Sequence, residues 1–179
     1  PVLAAPSSKE KQVRLRELAE AYLLKDILGL EQVKASQKLW DLLKILAFQV
    51  GSEISHHEIG KKVGLDTKTV GRYLDLLEKG FVIKSLHGFS RNLSNEITKK
   101  AKYYFLDTGV RNALINNFNN LADRNDQGAL FENFMVMERL KRHNFHETGA
   151  NQYFWRTHQQ QEIDLVEEAA GNLKAFEIK

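Results

Sequence analysis

Apolar residues recur at mostly three- and four-residue steps through Val13, Leu15, Leu18, Ala21, Tyr22, Leu24, Ile27 and Leu28. That spacing predicts an amphipathic helix, with Ser7 and Ser8 as a start signal and Gly29 as a stop. A thicker stripe at Leu39, Leu42, Leu43, Ile45, Leu46 and Phe48 predicts a second helix, capped by Ser36 and ended by Gly51. Ser55 with Glu58 three residues on is a capping-box pattern and predicts a short helix over HHEIGKKVGL. After a turn at Gly64-Leu65-Asp66, capped by Asp66 or Thr67, a further helix is predicted. It turns Val70, Tyr73, Leu74 and Leu77 inwards and Lys68, Thr69, Arg72, Asp75 and Lys79 outwards. Gly80 closes it, and FVIKSL should run on at once as a strand.

Helix, short helix, tight turn, helix, strand is the order of a winged helix-turn-helix. Its wing would be residues 81–86 returning as 102–106, with FSRNLSNEITKK as a polar tip. Beyond YYFLDTG the pattern predicts a short helix, VRNALINNF, and a polar linker over residues 116–126. A helix from Gly128 follows, and its Leu130, Phe131, Phe134, Met135, Val136, Met137 and Leu140 should bury most of its circumference. Residues 153–157 read as a strand. In the last eighteen residues, EIDLVEEAAGNLKAFEIK, two β-like runs flank a turn at Gly171-Asn172. Paired as a hairpin they set Ile163 against Ile178 and Leu165 against Phe176. On the other face they set Glu162 against Lys179, Asp164 against Glu177 and Val166 against Ala175.

Composition narrows the picture. The chain has 179 residues and no cysteine, which excludes disulfides and thiolate metal sites and suits a reducing, cytoplasmic setting. No apolar run has membrane-spanning length. The net charge of +3 is unevenly spread: +5 over residues 36–106 and −3 over residues 107–179. The middle is therefore the candidate for polyanion contact and the end for cation binding. A recognition helix would present Thr67, Lys68, Thr69 and Arg72 to DNA, while Lys61, Lys62, Arg91, Lys99 and Lys100 could meet phosphates. Asp75 and Glu78 on the same helix would repel a duplex, and a winged helix can equally serve as a protein-interaction module.

The hairpin carries the other candidate chemistry. Two carboxylates directly opposite one another, Asp164 and Glu177, repel. A hard divalent cation such as Mg²⁺ between them would reverse that sign, and Lys179 could then stabilise charge on a phosphate. Glu132, in the first turn of an apolar helix, is a candidate third carboxylate. The same residues also suit an ordinary solvated hairpin with a Glu162–Lys179 ion pair. The six histidines show no zinc-ligand spacing. No GxxxxGK[ST] loop is present, so ATP could bind only through a domain outside this chain.

Taken together, YLLKDILGL, TVGRYLDLLEKGFVI, KYYFLDTGVRNALI, GALFENFMVMERL, YFWRTHQQQEIDLV and FEIK resemble the C-terminal half of a group of bacterial and archaeal AAA+-type ATPases. The resemblance implies an α+β chain: a winged helix-turn-helix domain, then an endonuclease-like α/β domain of the PD-(D/E)XK type, truncated here. Its boundaries would be a helical segment at 1–35, the winged helix at 36–107, a helix and linker at 108–127 and the endonuclease-like part at 128–179. It implies a catalytic set of Glu132, Asp164, Glu177 and Lys179, with Asp164 and Glu177 holding Mg²⁺. An ATPase domain would precede Pro1, and a further helix and strand would follow Lys179. Two functions are expected from it. One is a nucleic-acid-binding winged helix joined to a metal-dependent nuclease-like domain. The other is a non-catalytic regulatory or interaction module with a degenerate nuclease fold.

Overall fold

The computed structural model describes residues 2–21, 36–90, 100–157, 159 and 161–179. Residues 22–30 of the first expected helix, Arg91, Lys99 and His158 lie outside the described residues, as does most of the expected wing tip. The architecture is α+β. Six helices accompany a six-stranded mixed sheet among the described residues: α1 (Ser8–Ala21), α2 (Ser36–Phe48), α3 (His56–Val63), α4 (Thr67–Lys79), α5 (Thr108–Leu114) and α6 (Gln127–Phe145). The strands are β1 (Glu53–Ile54), β2 (Ile83–Gly88), β3 (Ala101–Phe105), β4 (Asn151–Arg156), β5 (Glu162–Ala169) and β6 (Asn172–Phe176), in the spatial order β1-β3-β2-β4-β5-β6. The chain divides into two compact units. The first takes Pro1–Gln49, His56–Ile83 and Phe105–Asn125; the second takes Val50–Ser55, Lys84–Tyr104 and Asp126–Lys179.

The first unit is helical. Leu39, Leu42, Leu43, Leu46 and Ala47 of α2 are buried with Val70, Tyr73, Leu74 and Leu77 of α4, following the three- and four-residue stripes. Asp66 caps α4 by accepting from the Thr69 N–H at 2.9 Å. Gly60 is required where α3 meets the turn into α4. A Cβ there would lie 2.6 Å from the Leu65 carbonyl oxygen, and the Leu65 N–H donates to Gly60 O at 2.9 Å. The expected linker over 116–126 is instead ordered by a buried cation. Arg124 donates to Asn117 O at 2.8 Å and to Asn112 Oδ1 at 3.0 Å, and Leu121–Asp123 form a 3-10 turn. Arg111, also buried, donates from Nε to Ala47 O at 2.7 Å. The stripe of α1 is less inward than its spacing predicts: Val13 and Leu18 are exposed and Ala19 is buried. Phe48 is exposed too, and Phe81 (φ +56°, 74 % exposed) interrupts the run from α4 into β2.

The second unit carries the sheet. Strands β2 and β4 run parallel, with His87 beside Tyr153, while β4–β5 and β5–β6 are antiparallel. Two corrections to the hairpin follow from its pairing. Leu165 does face Phe176 and Val166 does face Ala175, but the loop is Ala170-Gly171, because Ala169 pairs with Asn172. Strand β6 ends at Phe176, so the ladder stops before Asp164 and Glu177 can pair across it. A bulge lies on β5. Tyr153 pairs with Val166 and Trp155 with Ile163, so Asp164 and Leu165 together oppose Phe154. Helix α6 is also less buried than expected. Its inward face is Asn133, Val136 and Met137, whereas Phe131, Phe134 and Phe145 are exposed.

These burials set measurable costs. Leu42→Ala, at a site with no exposure, is expected to lose about 3 kcal/mol of stability. Leu18→Ala, 53 % exposed, should change stability by less than about 0.5 kcal/mol. Urea midpoints of the two variants check this contrast.

Candidate functional site

The second unit holds a lysine where the sequence pattern places apolar residues. All five residues of β3 are buried, and Lys102 among them is only 3 % exposed. An ammonium removed from water must be paired. Two carboxylates from different elements supply the charge. Glu132 of α6 lies 3.3 Å from Lys102 Nζ, and Glu162 of β5 closes on the same atom from the other side. Tyr104, two residues along β3 and so on the same side of the strand, donates its hydroxyl to Glu132 Oε1 at 2.6 Å. Gly51 (φ +75°) is the close neighbour of this carboxylate, since a Cβ there would come within 3.3 Å of both Glu132 oxygens.

Electrostatics follow the geometry. Burial raises the Glu132 pKa above the usual carboxylate range, Lys102 and the Tyr104 hydroxyl oppose the rise, and the nearby Asp164 adds to it. Burial, then the charge of Glu132, holds the Tyr104 phenol firmly protonated, so it remains a donor. Arg156 of β4 extends the network, donating to Glu53 Oε1 at 2.9 Å and standing 3.7 Å from Glu162. Beside Lys102 lies a cavity of about 790 Å³ whose charged walls are Glu53, Lys100, Arg156 and Glu162.

The four expected catalytic residues are distributed unevenly. Glu132 and Asp164 are close enough for the aspartate to act on the Glu132 titration. Asp164 Oδ2 accepts the Ile178 N–H at 2.7 Å, an interaction the ladder of a longer β6 would preclude. Glu177 and Lys179 pair with each other at 2.7 Å and both are largely exposed. Lys179 is raised first by the Glu177 hydrogen bond, with a smaller contribution from Asp164. Glu162, set against Lys179 by the sequence register, pairs instead with Lys102 and Arg156.

An Mg²⁺ ion needs several carboxylate oxygens directed at one point. Among the described residues no group of three or more His, Cys, Asp or Glu side chains is arranged to hold a metal ion. The reason is visible in the bonding: Lys102 takes Glu132 and Glu162, a backbone N–H takes one Asp164 oxygen, and Lys179 takes Glu177. In this arrangement the donor set does not fit the ion.

A fully buried carboxylate on β5 is neutralised by partners from α6. Glu167 of β5, 3 % exposed, accepts from Arg139 Nε and Nη2 at 2.8 and 2.5 Å, and His143 Nε2 lies 2.8 Å from it. Arg139 and His143 stand four residues apart and so share a helix face. Burial alone would raise the Glu167 pKa. Hydrogen bonds from Arg139, His143 and Gln152 outweigh it and hold the group at about 2, against an ordinary 4.5. The β5 bulge explains how Glu162 and Glu167, an odd number of residues apart, both reach partners tied to α6.

The residues expected to meet nucleic acid sit on the first unit. Lys61 and Lys62 are exposed in the last turn of α3, and Thr67, Lys68 and Arg72 are exposed on α4. Thr69 is different: its hydroxyl donates to Asp66 Oδ2 at 2.6 Å and so belongs to the cap. Arg72 lies over the Tyr73 ring, 5.7 Å from its centroid. Asp75, expected to repel a duplex, is paired with Lys79 at 2.7 Å.

Sequence reasoning missed Lys102, Tyr104, Arg156 and the Arg139–Glu167–His143 group. One signal was available for the first, a lone lysine inside the strand run AKYYF. The arginine and histidine partners carry no such mark, because charged residues at helical spacing are what any solvated face shows.

The chain belongs to a family described as a domain of unknown function (DUF8612), whose model matches residues 1–121. A second family model, also described as a domain of unknown function (DUF4143), matches residues 127–179. The chain is 33 % identical over 138 residues to an uncharacterized protein of Mycobacterium bovis, covering 75 % of this chain and 30 % of that one. An uncharacterized protein of Mycobacterium tuberculosis gives the same figures. One of Haemophilus influenzae is 28 % identical over 138 residues, or 74 % of this chain and 33 % of that protein. The chain thus matches about a third of the length of these curated relatives. No solved structure matches it. No helix among the described residues is long and apolar enough to cross a membrane.

Two outcomes test the buried charges. Lys102→Met leaves the half-buried Glu132 and Glu162 without their cation and is expected to cost about 3 kcal/mol. Combining it with Glu132→Gln should cost clearly less than the two single losses together, as a double-mutant cycle in urea would read. Glu167 is depressed on folding, so its contribution is fully present above about pH 4.5 and is lost as pH falls towards 2. At neutral pH that contribution is roughly 3 kcal/mol. Glu167→Gln should remove it and flatten the acid limb of the stability profile, measured by thermal melts across that window.

Proposed function

We propose that this chain is the nucleic-acid-binding C-terminal part of a cytoplasmic AAA+-type ATPase. In this reading the helices of the first unit are the helical part of a winged helix that contacts DNA, and the second unit has an endonuclease-like fold whose acidic site is closed by its own lysine. Exposed cations on α4 carry the reading. Lys68 and Arg72 lie one turn apart there, Lys61 and Lys62 are exposed on α3, and Asp75 is neutralised by Lys79. The ATPase parentage is supported by the stretches quoted from the sequence and by relatives about three times the length matched. ATP would bind in that remainder.

A second reading keeps the metal-dependent nuclease. It is favoured by one observation, the Ile178 N–H bond at 2.7 Å that holds Asp164 beside the segment carrying Glu177 and Lys179. For it to hold, Mg²⁺ would have to displace Lys102 and draw Glu177 inwards. Closure by Lys102 favours the non-cleaving form.

Fluorescence anisotropy with a labelled DNA duplex separates these readings. The chain is expected to bind with affinity that falls steeply as salt rises. Charge reversal in a Lys68→Glu, Arg72→Glu variant should weaken binding at least about tenfold and flatten the salt slope. Unchanged affinity in that variant removes α4 as the DNA surface. Strand cleavage in Mg²⁺ that Asp164→Ala abolishes would establish the nuclease instead.

A further inference from the structure

The cavity beside Lys102 remains unused by either reading. Its volume of about 790 Å³ falls within the roughly 300–1,000 Å³ of small-ligand sites. Three kinds of group meet in its wall. Lys100 is exposed at the rim and has no ionic partner among the described residues. Arg156 is fixed in place by Glu53 and Glu162. Phe89 is half-buried and packs T-shaped against Tyr153 at 5.5 Å and 68°, and Phe154 lies beneath Lys102. Two hydroxyls, Ser52 and Thr157, complete the polar wall. Thr157 Oγ1 accepts the Gln161 N–H at 3.1 Å, which leaves its proton for another acceptor.

We propose that this cleft takes one unstacked nucleotide. Its base lies against Phe89 and its phosphate meets Lys100 and Arg156. The chemistry decides the class of ligand. A rim cation without an ionic partner among the described residues and a tethered guanidinium suit an anion, and a half-buried aromatic ring lining the cleft suits a planar base. Lys102 and Arg156 are already met by Glu132, Glu162 and Glu53, so Lys100 at the rim is the cation left without an ionic partner among the described residues. The phosphate contacts come from Lys100 and Arg156, so the proposed binding needs no metal. This deepens the nucleic-acid reading by adding a single-strand site on the second unit, independent of α4 on the first.

Labelled oligo(dT) and oligo(U), with unlabelled dTMP and UMP as competitors, test the cleft in EDTA. Affinity for the oligomers should be the same in the wild-type chain and in the Lys68→Glu, Arg72→Glu variant. Phe89→Ala should weaken it roughly tenfold, the loss of one base–aromatic stack. Lys100→Glu, at an exposed site that leaves folding intact, should weaken it to a similar degree. Mononucleotides that displace the oligomer at its own concentration range identify a free nucleotide as the source of the ligand; competition only at far higher concentration identifies a strand. The proposal is overturned if neither ligand binds, if neither cleft variant changes the affinity, or if charge reversal on α4 abolishes oligomer binding. Loss of duplex binding alone bears on α4 and leaves the cleft standing.

Discussion

A single buried ammonium governs the second unit. Lys102 sits in a strand buried along its whole length, and water cannot solvate it there. Its charge must be met by protein groups, and these come from α6 and β5, far apart in sequence. The ion pairs therefore tie three elements at one point. They also determine what the acidic site can do. In this arrangement Glu132 is engaged by the ammonium and by the Tyr104 hydroxyl, and Glu162 by the ammonium and Arg156.

Glu167 shows the same logic with other partners. It too is a strand carboxylate removed from water, and it is met by an arginine fork and a histidine one helical turn apart on α6. Both carboxylates lie on β5, and a regular strand would send them to opposite faces. The bulge at Asp164-Leu165 resets the alternation, so each reaches a partner tied to α6. Local irregularity and long-range pairing depend on each other here. Buried charges of opposite sign make the bulged strand specific, and the bulge is what aims them.

Helical parts of the fold were legible where periodicity is read against a single buried face. The expected inward set of α4 is buried, with Leu76 added to it, and of the two expected caps Asp66 makes the bond, because a capped amphipathic helix is specified by neighbours three and four apart. The register at Leu165 and Phe176 was legible for the same reason, with alternation replacing the helical period. Expectation departed where burial was inferred from composition alone. Phe131 and Phe134 are as apolar as Val136, yet each is about half exposed whereas Val136 is buried.

By itself, then, the sequence determined most of the segments that are helices or strands and which face of α4 is charged. Those are properties of local spacing. Tertiary structure alone decided that Lys102 reaches Glu132 and Glu162, that β6 stops short of pairing Asp164 with Glu177, and that a cleft opens beside them. Each of these depends on burial, and burial is decided by which distant elements meet.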